Sequence, residues 1–160
     1  MLHLSKYHGE ILATGDDTST EVALARPFDF QGQSWTSVFV NSNGNLTFGT
    51  GDGDFSESVG ELLSGSPRIA PLWDDLDASP GQGLVIAETG PRDTTIHFVS
   101  VPQFFDLAGN YFSVRLGRSG KVDVEYGPTA RGDALVGVTE GGRAADPGET
   151  DLSEGCRRSA

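Results

Sequence analysis

The sequence is poor in cysteine: Cys156 is the single one in 160 residues, so it excludes an internal disulfide and a cysteine-built zinc site. No apolar run is long enough to cross a membrane, and no signal peptide is visible in the first residues. A lack of disulfides does not exclude export, because a domain of this size can be stable on its hydrophobic core. Three interpretations stay open: a protein kept inside the cell, a chain whose leader was removed, or one module of a longer product.

Basic residues are also scarce. Eleven Lys and Arg stand against 23 Asp and Glu, which gives a net charge of −12. Nucleic-acid binding depends on clustered Lys and Arg, so this composition predicts no nucleic-acid partner. Divalent cations and neutral polar ligands such as sugars are compatible with the charge.

Glycine and proline are frequent, and they punctuate the chain into short runs rich in Val, Phe, Thr and Tyr. This pattern predicts an all-β fold: a single-domain, antiparallel, two-layer β-sandwich of jelly-roll-like type with about nine or ten strands. At most one short helix is expected, near residues 56–63, with Ser56 as its cap. We expect the domain to cover residues 11–142, between an N-terminal extension (1–10) and a polar C-terminal tail (143–160).

Two hairpins have clear turn signals. Asn43-Gly44 separates the apolar run 34–40 from residues 45–48, and both turn residues tolerate positive φ. The second turn, R-S-G at 118–120, separates the alternating runs 111–116 and 121–126.

Acidic residues are concentrated after an apolar run, in P-R-I-A-P-L-W-D-D-L-D at residues 67–77. Asp74, Asp75 and Asp77 repel one another unless water, backbone donors or a cation lies among them. Together with Asp52 and Asp54 they form a candidate Ca²⁺ site, since calcium takes six to eight oxygen ligands. The alternative is that Asp75 accepts hydrogen bonds from turn amides while its neighbours are solvated. No complete EF-hand loop is present.

Three segments together resemble the nidogen-like (NIDO-type) extracellular domain. They are V-F-V-N-S-N-G-N-L-T-F (38–48), the segment 67–77, and G-K-V-D-V-E-Y-G (120–127) followed by A-L-V-G-V-T (134–139). The resemblance covers residues 21–142 and is closest to the version found in secreted bacterial proteins. It places Asn41 and Asn43 on the family's Asn-Gly turn, and Asp74 and Asp75 on its W-D-D element.

The resemblance implies an extracellular or cell-surface, non-catalytic module for adhesion or assembly through protein contacts. Stabilisation by Ca²⁺ is a separate expectation that rests on the acidic residues named above, because the resemblance gives Asp74 and Asp75 no role. The alternative function is a calcium-dependent carbohydrate-binding module of a larger secreted protein. A glycosidase pair is not expected, because no His or nucleophile constellation accompanies the acids. The expected partner is a protein or a glycan on a surface or matrix. Homo-oligomers are also expected, since an edge strand near Glu21 could pair with a second copy.

Candidate contact residues come from one loop and one turn. Phe104 and Phe105 lie in a loop bounded by Pro and Gly, where an exposed pair would indicate a partner patch. Asn41 and Asn43 are the candidate polar contacts. The tripeptide Arg131-Gly132-Asp133 matches an integrin-recognition motif, but the simpler interpretation is a turn that needs glycine.

Overall fold

The computed structural model describes residues 6–130 and 133–148. These residues form ten strands, one short helix and a 3₁₀ turn at Arg118–Gly120. The strands and helix are β1 (Glu10–Ile11), β2 (Ser19–Phe30), β3 (Gln33–Asn41), β4 (Asn45–Thr47), α1 (Val59–Ser64), β5 (Arg68–Trp73), β6 (Leu84–Thr89), β7 (Thr94–Pro102), β8 (Gly109–Leu116), β9 (Val122–Tyr126) and β10 (Leu135–Thr139).

The strands form two five-stranded antiparallel sheets, in the orders β1-β6-β7-β8-β9 and β10-β5-β4-β3-β2. Both sheets contribute fully buried side chains to one core, including Val38 and Val40 from β3 and Ile96 and Phe98 from β7. The predicted all-β, two-layer sandwich is therefore confirmed.

The sandwich has two ends that differ in charge. One end, called the acidic end below, carries the turn 41–45 and the loops 12–18, 50–58, 74–79 and 103–108. These segments are joined to one another by backbone and side-chain hydrogen bonds. The other end carries the turns between β2 and β3, β6 and β7, and β8 and β9.

Both predicted hairpins are present. Gly44 has φ +75°, and a Cβ there would overlap the carbonyl oxygen of Leu72, so this position requires glycine. The helix differs from the prediction at its start. Ser58, rather than Ser56, caps α1: its Oγ accepts the N–H of Glu61 at 3.1 Å and donates to the Glu61 carboxylate at 2.7 Å. The Ser58 side chain thus caps α1 and satisfies one free N–H of its first turn.

The segment that the sequence assigned to an N-terminal extension contacts the sandwich. Glu10 pairs with Ala87 in β6, and the backbone N–H of His8 donates to Glu88 at 2.6 Å. Within the described residues, no helix is long and apolar enough to cross a membrane. Arg131 and Gly132 of the tripeptide noted above lie outside the described residues.

Candidate functional site

Asn43 cross-links the loops of the acidic end. Its Nδ2 donates to Oδ1 of Asp17 at 3.0 Å and to the carbonyl of Asp54 at 3.2 Å, and its Oδ1 accepts the N–H of Leu76 at 3.0 Å. The side chain is completely buried, so these bonds replace water for its amide group. One residue thus fixes the relative positions of three acidic loops.

Asn41 does the same on the other side of the turn. Its Nδ2 donates to Asn45 Oδ1 at 2.7 Å and to Thr47 Oγ1 at 3.1 Å, and its Oδ1 accepts the N–H of Asp52 at 3.1 Å. Asn41 and Asn43 are both 0% exposed. Neither side chain is accessible to a partner, so the two residues hold loops together instead of forming the expected ligand contact.

Asp52 and Asp54 have partners within the protein. Asp52 forms an ion pair with the buried guanidinium of Arg68, which also donates to Asn45 Oδ1 at 3.2 Å. Oδ1 of Asp54 accepts the backbone N–H of Ser56 at 2.9 Å and its hydroxyl at 2.8 Å. The backbone N–H of Ser56 is the main cause that holds the pKa of Asp54 below its ordinary value.

Asp74 and Asp77 organise the backbone around them. Asp74 is 6% exposed; its Oδ1 accepts the N–H of Asp75 at 2.9 Å and its Oδ2 accepts the side-chain amide of Gln103. Burial raises the pKa of Asp74 in spite of these bonds. Oδ1 of Asp77 accepts the N–H of Ser79 at 2.9 Å, which is a turn contact.

Asp75 lies in a group with Asp16 and Asp17, where one carboxylate oxygen from each residue is within 4.8 Å of the others. Burial, followed by the charges of Asp17, Asp74 and Asp77, raises the pKa of Asp75. Burial, followed by the charges of Asp17, Asp77 and Asp75, raises the pKa of Asp16. Oδ1 of Asp16 is also buried without a hydrogen-bond partner in the described part of the chain. This group is called the Asp75 group below.

A second group consists of Glu57, Asp74 and Asp133, again with one oxygen of each within 4.8 Å. Burial is the main cause that raises the pKa of Glu57, and the charges of Asp74 and Asp133 add to it. The five residues predicted as calcium ligands are thus distributed differently from the expectation: Asp75 and Asp74 lie in separate groups, and Asp52, Asp54 and Asp77 lie in neither.

The Asp75 group has the ligand chemistry of a hard divalent cation. Three carboxylates supply oxygen donors on two irregular loops, and Ca²⁺ takes such oxygens with variable geometry. A cation would also offset the mutual repulsion that these carboxylates experience. The residues therefore fit calcium by chemistry and by the unsatisfied oxygen of Asp16.

An apolar tip lies beside this group, on the loop between β7 and β8. Phe105 and Leu107 are each 96% exposed, and Phe104 is 39% exposed. The N–H of Phe104 donates to the carbonyl of Asp75 at 2.8 Å, and Oδ1 of Asp106 accepts the N–H of Leu107 at 2.6 Å. The loop is thus anchored to Asp75 while its apolar side chains point away from the core.

Sequence reasoning missed four carboxylates of these groups: Asp16, Asp17, Glu57 and Asp133. The pair Asp16-Asp17 follows Gly15 in a polar loop, which is the same kind of signal as W-D-D. What the sequence did not reveal is that the N-terminal loop and the 74–77 segment lie together. Asn43 produces that proximity, because its side chain bonds both Asp17 and the N–H of Leu76.

Comparisons with known proteins agree with the resemblance found in the sequence. The model of the family described as "NIDO related" matches residues 5–153, which is most of the chain. The chain belongs to the NIDO-related family. A segment of 61 residues is similar to alpha-tectorin, with 36% identity to the mouse protein and 34% to the human protein. This segment is 38% of the present chain and 3% of alpha-tectorin. No solved structure matches the chain.

Proposed function

We propose that this NIDO-related domain is a non-catalytic extracellular or cell-surface module that contacts a protein partner through the apolar tip of residues 104–107. The single observation that carries the proposal is the exposure of Phe105 and Leu107, at 96% each. Large apolar side chains so completely exposed gain nothing from the core of their own domain. The family assignment and the similarity to alpha-tectorin support a role in interaction or structure, and the version in secreted bacterial proteins stays a prediction.

The backbone of Phe105 supports the same proposal. Its φ is +61°, in the left-handed region where a bulky side chain is strained by about 1–2 kcal/mol. Neither folding stability nor local geometry explains a phenylalanine at this position, because glycine or asparagine would adopt the same turn at lower cost. A ring that must be presented to a partner does explain it.

The contact is tested by replacing Phe105 with glycine, together with Leu107→Ala. We expect the double variant to keep the melting temperature of the wild type and to lose binding to a panel of purified matrix proteins. A matched control is Val138→Ala on β10, where the side chain is also exposed, at 55%. Equal binding by the wild type and the tip variant would contradict the proposal.

Calcium enters the proposal as the ion that stabilises the acidic end. The Asp75 group supplies its ligands. The N–H of Phe104 donates to the carbonyl of Asp75, so the same residue contacts both the ion and the loop that carries the tip. On this proposal, calcium orders the segment from which Phe104 and Phe105 project.

The second candidate is a calcium-dependent carbohydrate-binding module. It is favoured by one observation: the two rings of Phe104 and Phe105, whose centroids are 4.1 Å apart, lie beside carboxylates. Sugars stack on such rings while a bound cation or carboxylates hold their hydroxyl groups. A glycan array in calcium and in EDTA separates the candidates: retention that depends on calcium supports sugar binding, and binding to matrix proteins without glycan retention supports the protein contact.

A further inference from the structure

A cleft of about 320 Å³ opens at the end of the sandwich opposite to the acidic end. Its walls are the break in β2, the turn that leads into β7, and the turn that follows β8. Three arginines from these separate segments line it: Arg26, Arg92 and Arg118. These residues are called the arginine cleft below.

The guanidinium groups of Arg92 and Arg118 and the terminal nitrogens of Arg26 are available to a ligand, while Asp93, which also lines the cleft, is paired with Arg115. Within the described residues, none of the three lies within 4.0 Å of a carboxylate, although the adjacent Arg115 contacts Asp93 at 3.6 Å and Asp123 at 2.5 Å. All three arginines are exposed. Their planar forks suit bidentate binding of a carboxylate.

The backbone keeps the cleft in place. The pairing register of β2 with β3 shifts between Ala23 and Phe28, and Pro27 provides no backbone N–H within this break. Nε of Arg26 donates to the carbonyl of Pro91 at 2.8 Å, which joins β2 to the turn of the other sheet. The cleft is thus a fixed feature of the junction between the two sheets.

The charges of the two ends are complementary, but they cannot meet within one molecule. The nine-residue strand β7 begins at Thr94 in the cleft wall and ends at Pro102, whose carbonyl accepts the N–H of Asp77 at the acidic end. At about 3.4 Å per residue, β7 separates the ends by about 30 Å. The partners with the required complementarity are therefore the arginine cleft of one copy and the Asp75 group of another.

We propose that the arginine cleft binds carboxylates of the acidic end of a second copy, so that copies of this domain associate head to tail. The contact joins two different surfaces, and each added copy leaves one free cleft and one free acidic end. Growth by this route gives a linear series of oligomers rather than a closed dimer. The contact uses charged groups and not the apolar side chains of residues 104–107, so the proposal does not depend on the partner contact described above. Calcium at the Asp75 group would compete with this association, because both use the same carboxylates.

The head-to-tail association should weaken as the salt concentration rises from about 0.1 M to about 1 M. The net charge of −12 makes distant parts of two copies repel, but at about 0.1 M salt the Debye length of about 10 Å screens that repulsion while leaving contacting charges effective. At about 1 M salt the Debye length falls to about 3 Å and the contact itself is weakened. We expect sedimentation velocity in EDTA to detect concentration-dependent oligomers at the lower salt and monomers at the higher.

Complementation between two variants tests the head-to-tail geometry. One variant carries Arg92→Glu and Arg118→Glu, and the other carries Asp16→Asn and Asp75→Asn; Arg26 and Asp17 are retained because both make hydrogen bonds in the fold. Each variant alone should be monomeric. Their mixture should give a heterodimer and nothing larger, because its two outer surfaces are both inactive.

Lys6→Glu with Arg143→Glu is the matched control, since it makes the same change in net charge at exposed positions outside the cleft. It should associate like the wild type, and circular dichroism should show all variants folded. A wild type that stays monomeric at about 0.1 M salt, a charge variant that still associates alone, or a mixture without heterodimer would overturn the proposal. Binding of a sulfated oligosaccharide to a cleft that does not self-associate would assign it to an acidic glycan and would equally overturn it.

Discussion

Two sets of carboxylates lie at the acidic end, and they differ in what surrounds them. Asp52 and Asp54 in the 50–58 loop have an arginine and a serine as partners. Asp16 and Asp75 have mainly other carboxylates near them, and burial raises the pKa of both. The number of acids in a segment therefore does not identify a cation site. A cation site is identified by the charged groups and hydrogen-bond partners that surround each carboxylate.

The largest expected effect comes from removing the partner of the first set. Arg68→Met leaves Asp52 without its cation and removes the guanidinium that lies 3.9 Å from the centroid of the Trp73 ring. Breaking a buried ion pair on one side costs about 3–5 kcal/mol, and the 28% exposure of Asp52 places the expected loss at about 3 kcal/mol. Urea unfolding measures it.

The double variant Arg68→Met with Asp52→Asn serves as the control. It should recover part of the lost free energy of unfolding, because no uncompensated charge remains. Additive losses from the two substitutions would show that the ion pair does not account for the difference between the two sets.

An intermediate effect is expected for Asn43→Ala, which disconnects the two sets from each other. The substitution leaves the N–H of buried Leu76 without its acceptor and releases Asp17 and Asp54, at a cost of about 2 kcal/mol. Asn110→Ala is the matched control, since Asn110 is also buried and bonds Val101 in β7 and Ala130 in the segment after β9. Both variants should be less stable in urea than the wild type, but only Asn43→Ala should also weaken calcium binding by the Asp75 group. A cost for Asn43→Ala within error of zero would show that the Asn43 cross-link does not stabilise the acidic end.

The smallest expected effects on the free energy of unfolding come from Asp75→Asn and Asp54→Asn, and they have opposite signs. The raised pKa of Asp75 means that the folded state holds this proton more tightly than the unfolded state, so its contribution becomes less favourable as pH rises above 3.8. Without calcium, Asp75→Asn should therefore raise the free energy of unfolding at neutral pH by about 0.2–1 kcal/mol. The gain should disappear as pH falls toward 3.8.

Asp54→Asn should behave in the reverse manner. The lowered pKa of Asp54 contributes stability above the unfolded value of 3.8, and this stability is lost as pH falls through the folded value. The variant should be less stable than the wild type at neutral pH and similar to it in acid. Thermal unfolding across this pH range checks both variants, and the same sign for the two would contradict the distinction.

The sequence predicted the parts of the fold that depend on local chemistry. The Asn43-Gly44 turn needs positive φ, and the alternation in residues 111–116 and 121–126 requires one buried face, so both hairpins were predictable. The acidic end depends on contacts between distant segments. Asp17 meets Asn43 only after β2 and β3 have paired. Proximity in the sequence therefore groups Asp52 with Asp75 and leaves Asp17 out.

The same limit applies to burial. Asn41 and Asn43 are polar turn residues, which are usually exposed, and no local signal predicted that loops from three directions would cover them. For Phe104 and Phe105 the local signal was partial. An apolar pair in a loop bounded by Pro and Gly has no strand face to occupy, but the sequence left open whether both rings or only one would be exposed.

A calcium titration of the melting temperature tests the central claim, that the Asp75 group binds a cation. After EDTA treatment, calcium at about 100 times its Kd should add about 2.7 kcal/mol of stability, or about 5–10 °C for a domain of this size. Asp75→Asn should abolish the increase, while Asp29→Asn, at the opposite end, should retain it. An unchanged melting temperature of the wild type at millimolar calcium, or an increase that persists in Asp75→Asn, would contradict the account.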